Sequence, residues 1–79
     1  MKTVTISLPT TAIVQEFVNR ISPLDGHFDF LSEGYILDAK SLMGIFTLNL
    51  AKPLTLRIEK DTKEVMEVIG RYIVEDLHG

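Results

Sequence analysis

The sequence predicts an α+β fold: a four-stranded antiparallel sheet with three helices on one face, in the order β-α-β-β-α-β-α. Three observations carry this. Four short segments alternate apolar and polar residues with period two. Three other segments place apolar residues at helical spacing. The strand segments divide their residues cleanly between two faces. One face carries Val4, Ile6, Leu8, Phe28, Phe30, Leu37, Leu56 and Ile58; the other carries Thr3, Thr5, Ser7, His27, Asp29, Asp38, Thr55, Arg57 and Glu59. An antiparallel sheet open to water on one side alternates in this way. Only Leu31 and Ile36 interrupt the polar face.

The elements follow in order. Val4, Ile6 and Leu8 alternate with Thr3, Thr5 and Ser7, giving the first strand. Pro9-Thr10-Thr11 breaks it, and either threonine can cap a helix by accepting a bond from a free backbone N–H. Ile13, Phe17 and Ile21, flanked by Val14 and Val18, form the apolar stripe of that helix. Ser22-Pro23-Leu24-Asp25-Gly26 ends it, because proline cannot continue a helix and glycine suits the turn. Phe28 and Phe30, alternating with His27 and Asp29, start the second strand. Ser32-Glu33-Gly34 is a hairpin-length turn with glycine where positive φ is expected. Tyr35, Leu37 and Ala39 alternate with Ile36 and Asp38 in the third strand. Ser41 is the N-cap of a short helix over about Leu42 to Leu48, which Ala51-Lys52-Pro53 ends. Leu54, Leu56 and Ile58 mark the fourth strand. Asp61, with Glu64 three residues on, has capping-box geometry for a last helix. Its stripe is Val65, Ile69, Tyr72, Ile73 and Leu77.

Composition bounds the function. The 79 residues suit one domain over 1–79 and exclude a two-domain enzyme. No cysteine is present, so neither a disulfide nor a thiolate metal site supports the fold. Eight Lys+Arg against eleven Asp+Glu leave a charge of −3, which argues against a nucleic-acid partner. The longest apolar-leaning run, Leu42 to Ala51, is about half the roughly 20 residues of a spanning helix. The alternating N-terminus lacks the apolar run of a signal peptide, so a cytoplasmic protein without membrane insertion is expected. Apolar residues nevertheless make up 46% and mean hydropathy is +0.20, high for a chain with so much surface. Part of that excess is expected on the outside, for a partner.

Asp38-Ala39-Lys40-Ser41-Leu42-Met43-Gly44-Ile45-Phe46-Thr47-Leu48 resembles the segment around the regulatory serine of HPr, the histidine-containing phosphocarrier of the bacterial sugar phosphotransferase system. In that family a strand ends in Lys-Ser and runs into a short helix starting Ile/Leu-Met-Gly. The whole element order fits the family's open-faced β-sandwich, and Val4-Thr5-Ile6 and Phe17-Val18 resemble its first strand and helix. The resemblance implies a regulatory phosphorylation site at Ser41. It also implies a protein-docking surface at Leu42, Met43 and Phe46, for phosphotransferase-system or regulatory proteins.

The resemblance also exposes a gap. A phosphocarrier has a histidine at the start of its first helix, followed by arginine and proline. Imidazole is nucleophilic near neutral pH, and helix N–H groups with an arginine hold the phosphoryl group. Here the matching stretch is Leu8-Pro9-Thr10-Thr11-Ala12-Ile13, with Thr10 about where the histidine belongs. A threonine phosphoester transfers far less readily than a phosphoramidate, so phosphocarrier activity is not expected. His27 and His78 lack the helix-start setting. Glu64 and Glu67 have no convergent histidine, and the aspartates lack calcium-loop spacing, so no metal, cofactor or catalytic group is expected.

The expected function is therefore a regulatory or protein-binding module, a monomer or weak homodimer rather than an enzyme, acting through the helix at Ser41–Leu48. Two alternatives stay open. One is a phosphocarrier using a non-standard residue such as His27. The other is a ferredoxin-like small-molecule-binding regulatory domain, whose element order is nearly the same.

Overall fold

The structure, a computed structural model, describes residues 1–77. Its elements are β1 (Lys2–Ile6), α1 (Thr11–Ile21), β2 (Phe28–Ser32), β3 (Tyr35–Asp38), α2 (Leu42–Ile45), β4 (Leu54–Ile58), α3 (Lys63–Ile69), a 3₁₀ turn (Gly70–Tyr72) and β5 (Ile73–Leu77). The strands form one antiparallel sheet in the order β3-β2-β4-β1-β5. The α+β architecture with one open sheet face is as the alternation predicts.

The core lies between the sheet and the helices. Val4, Ile6, Leu8, Phe28, Phe30, Leu56 and Ile58 are buried from the sheet side. Val14, Phe17 and Ile21 of α1, Ile45 of α2 and Val65 and Ile69 of α3 meet them. Phe17 sits at the junction: its ring centroid lies 5.9 Å from that of Phe30 and 5.2 Å from that of Tyr72, edge-on to the latter. Such aromatic pairs add about 0.5–1.5 kcal/mol each beyond the area they bury. Leu37 is half-buried against this cluster. Gly26 (φ +93°) and Gly34 (φ +80°) occupy the left-handed region that both turns require.

Four expectations need correction. The last helix does not reach Leu77. It ends at Ile69, and residues 73–77 form a fifth strand beside β1. Helical spacing of Val65, Ile69, Tyr72 and Ile73 is equally compatible with a helix that stops at Gly70 and continues extended. Ile73 and residues 75–77 then take the ladder that β1 would otherwise leave unpaired, with Val74 left as the extra residue between Ile73 and Glu75. The shift between Thr5 and Ile6 marks an irregularity in that pairing. Second, Thr62 rather than Asp61 caps α3, its hydroxyl accepting from the Val65 N–H at 3.2 Å. The Asp61 carboxylate faces the N-terminal ammonium at 3.4 Å instead. Its own backbone N–H, then that ammonium, holds it below its ordinary value. Third, α2 is one turn, Leu42–Ile45, and the chain through Leu48 continues as turns. Fourth, His27 precedes the second strand, which starts at Phe28. His78 lies outside the described residues.

Candidate functional site

The site is built where β3 hands over to α2. The Lys40 N–H donates to Asp38 Oδ1 at 2.9 Å, and the Ser41 N–H donates to the Asp38 carbonyl at 3.0 Å, closing the turn. Ser41 is extended (φ −96°, ψ 103°) and exposed. Its Oγ accepts from the Gly44 N–H at 3.2 Å, satisfying one of the helix's free donors. Glycine at position 44 leaves room for this fit. A Cβ there would stand 3.3 Å from Ser41 Oγ.

A one-turn helix cannot stand on its own propensity, so packing fixes it. Ile45 is fully buried, and Leu42 and Leu48 are half-buried against the core. Residues near 100° apart around the axis then turn Met43 and Phe46 outward. Met43 is 79% and Phe46 39% exposed. Of the three sequence-predicted docking residues, Met43 and Phe46 face solvent, while Leu42 is divided between surface and core.

Lys40, beside Ser41 in sequence, is turned away from it. Its Nζ donates to the Leu24 carbonyl at 2.6 Å and lies 5.4 Å from the Phe28 ring centroid. The lysine of the Lys-Ser pair therefore ties the turn to the loop after α1. No cation stands with Ser41 from this neighbour.

The start of α1 forms a second helix entrance. Thr10 is the N-cap (φ −132°, ψ 158°), and its Oγ1 accepts from the Ile13 N–H at 3.2 Å. Thr10, Thr11 and Ala12 are exposed. His27 is exposed at the end of the loop following α1, and its N–H donates to Glu59 Oε1 at 3.1 Å. Among the described residues, no three His, Cys, Asp or Glu side chains converge as metal ligands.

Two features escaped the sequence. An open groove of about 450 Å³ runs beside the β2–β3 hairpin, with Tyr35, Leu48, Lys52 and Pro53 among its lining residues. Tyr35, the first residue after the β2–β3 turn, is 50% exposed. The short two-residue turn was the available signal. The other is a polar cluster at the far side. The Tyr72 hydroxyl donates to Glu16 Oε1 at 2.6 Å, with Arg20 Nε at 3.4 Å and Arg71 at 3.5 Å. Burial first, then the Glu16 carboxylate, pushes Tyr72 up to about 12. The tyrosine hydrogen bond, foremost, holds Glu16 below its usual value. This cluster fastens α1 to the turn before β5, and spacing alone did not reveal it.

No protein-family model and no curated protein sequence matches the chain. Among solved structures, it is similar to the crystal structure of HPr-C-His from Thermoanaerobacter tengcongensis. The TM-score is 0.73 and the identity 25%, covering 92% of this chain and 91% of that one. The chain therefore has an HPr-like fold. No helix among the described residues is long and apolar enough to cross a membrane.

Proposed function

We propose that the chain is a bacterial, cytoplasmic HPr-like protein without phosphocarrier activity. It acts as a regulatory or protein-binding module rather than an enzyme, through the helix that starts at Ser41. The observation that carries this is the exposure of Met43 and Phe46 beside an accessible Ser41, on a turn that Ile45 and Lys40 hold fixed. Methionine adapts to a partner surface and phenylalanine anchors in a pocket. A preformed turn also loses little entropy on docking. The partner is a protein with an apolar pocket, of the phosphotransferase-system or regulatory kind, with Leu42 completing the contact. Ser41 is the phosphorylation site. A phosphoryl group would add about −1.5 to −2 charges next to Met43 and weaken apolar docking. The missing phosphocarrier chemistry rests on Thr10, whose hydroxyl occupies the cap of α1 and has no imidazole beside it in sequence.

Affinity capture from lysate with wild type, Phe46→Glu and Ser41→Asp tests the docking surface. Phe46→Glu is expected to melt with wild type and lose the captured partner, and Ser41→Asp to reduce capture. Unfolding of Phe46→Glu would make Phe46 a core residue and end the proposal. Incubation with phosphoenolpyruvate and the upstream phosphotransferase is expected to give no acid-labile phosphoryl group. An acid-labile adduct on His27 would establish a carrier with a displaced histidine.

A further inference from the structure

The two edges of the sheet are built differently. At the β5 edge the pairing with β1 is irregular, and the strand carries the exposed Glu75. Irregular pairing and charge are the usual means by which a sheet edge is blunted. The β3 edge has neither proline nor lysine within the strand, and its pairing with β2 is regular from Tyr35 to Asp38. Tyr35 and Ile36 are 50% and 57% exposed.

The phase of the ladder decides which backbone groups β3 presents. The Ala39 N–H donates to the Phe28 carbonyl at 2.7 Å. In an antiparallel pair, bonded positions alternate, so Leu37 and Tyr35 also bond toward β2. Ile36 and Asp38 therefore direct their main-chain groups outward. The Asp38 carbonyl already accepts from Ser41. Ile36 is thus the one strand position here that directs both an N–H and a C=O, uncommitted to this ladder, at the outer edge.

We propose that this edge pairs with a second copy of the chain, β3 antiparallel to β3 about a two-fold axis, with Ile36 opposite Ile36. Only a register that sets outward positions opposite each other makes bonds, and this one satisfies both Ile36 groups reciprocally. Directly opposed residues then share a face. Ile36 meets Ile36 on the open face, and Tyr35 covers Leu37 of the second copy on the helix face. Asp38 falls opposite Gly34, and Glu33 opposite Ala39. No like charges meet. A four-residue edge buries less than the roughly 1,200 Å² of stable interfaces, so the dimer is weak.

Sedimentation of the full chain up to about 1 mM, the weak end of the affinity scale, tests this. Wild type is expected to gain mass with concentration, and Ile36→Lys to stay monomeric with unchanged circular dichroism. Cross-linking supplies an arm independent of that variant. The chain has no cysteine, and opposed bonded positions lie about 5.5 Å apart, within disulfide reach. Ile36→Cys is expected to oxidise to a covalent dimer about tenfold faster than Val74→Cys, because pairing raises its effective concentration. Val74 is as exposed, at 58%, on the other edge. A wild type that stays monomeric throughout, or Ile36→Cys oxidising no faster than Val74→Cys, overturns the proposal. So does association that Ile36→Lys leaves intact.

Discussion

The two helix entrances, Thr10 and Ser41, are nearly the same device on different ground. Each cap residue is extended, and each hydroxyl accepts from the N–H three residues on at 3.2 Å. Behind Thr10 stands an 11-residue helix with three buried side chains, Val14, Phe17 and Ile21, and its first turn shows only Thr11 and Ala12 to solvent. Behind Ser41 stands one turn with a single buried side chain, Ile45, and an exposed Met43 and Phe46. The hydroxyl chemistry is therefore shared, and the difference lies in the surface around it. A small polar entrance offers a partner little apolar area, while the one-turn entrance offers a methionine and a ring. The shorter helix can expose them because its neighbours Leu42 and Leu48 keep it seated.

The largest expected effect follows from that single anchor. Ile45→Ala should cost about 3 kcal/mol, within the range for a fully buried isoleucine. It should also release the Ser41 turn, because nothing else on that turn is fully buried. Val14→Ala removes fewer atoms from a helix that keeps Phe17 and Ile21, so its cost should be smaller and α1 should persist. Chemical denaturation gives the two energies. Amide exchange at Gly44 and Ile45 against Val14 and Phe17 shows whether loosening stays at one entrance. Equal protection of both turns in Ile45→Ala would show that the short helix does not depend on its one anchor.

A smaller effect separates the entrances by pH. Only α1 is tied to a titrating pair, Glu16 with Tyr72. The Tyr72 pKa is raised from 10.0 to about 12. Below pH 10 the hydroxyl is protonated in both folded and unfolded chains, and its contribution is complete. Between pH 10 and 12 the unfolded tyrosine ionises first, and that stability is lost. Glu16 is shifted the other way, so its contribution is present above its ordinary value of 4.5 and lost as pH falls below it. Tyr72→Phe should flatten the alkaline loss and return the Glu16 titration toward 4.5, read by carboxyl chemical shifts. Protection at the Ser41 turn, taken relative to the intrinsic exchange rate at each pH, should not follow the pH. An unchanged alkaline limb in Tyr72→Phe would place the sensitivity elsewhere.

The strand faces were legible because period two leaves little choice. Val4, Ile6, Phe28, Phe30, Leu56 and Ile58 fall on one side in any register that buries them. The outward turn of Met43 and Phe46 was legible for a similar reason, since one turn cannot bury every side. What failed was the C-terminus, where Tyr72 and Ile73 satisfy both a helical stripe and a strand following a 3₁₀ turn. Only the unpaired edge of β1, a property of the assembled sheet, decides between them. Lys40 was illegible in the same way. Its commitment to the Leu24 carbonyl joins positions 16 apart in sequence through a loop whose path no local pattern specifies.

The smallest effect is the most discriminating. Ser41→Ala and Thr10→Ala each remove an exposed cap and should cost about 1 kcal/mol. By themselves they would not distinguish the entrances. Gly44 does. Alanine is favoured over glycine in a helix by about 1 kcal/mol. In wild type, however, its Cβ would meet Ser41 Oγ at 3.3 Å, closer than an ordinary contact. The cap must shift a few tenths of an ångström, and Gly44→Ala should come out near neutral. With Ser41→Ala the hydroxyl is gone, the next atom is the residue 41 Cβ at 3.5 Å, and Gly44→Ala should stabilise by about 0.5–1 kcal/mol. The cycle thus yields a coupling between the two sites of that size. Gly44→Ala combined with Thr10→Ala should be additive, since α1 begins independently. Additivity at both caps would mean that Ser41 Oγ yields freely, and that glycine is not what holds this entrance in shape.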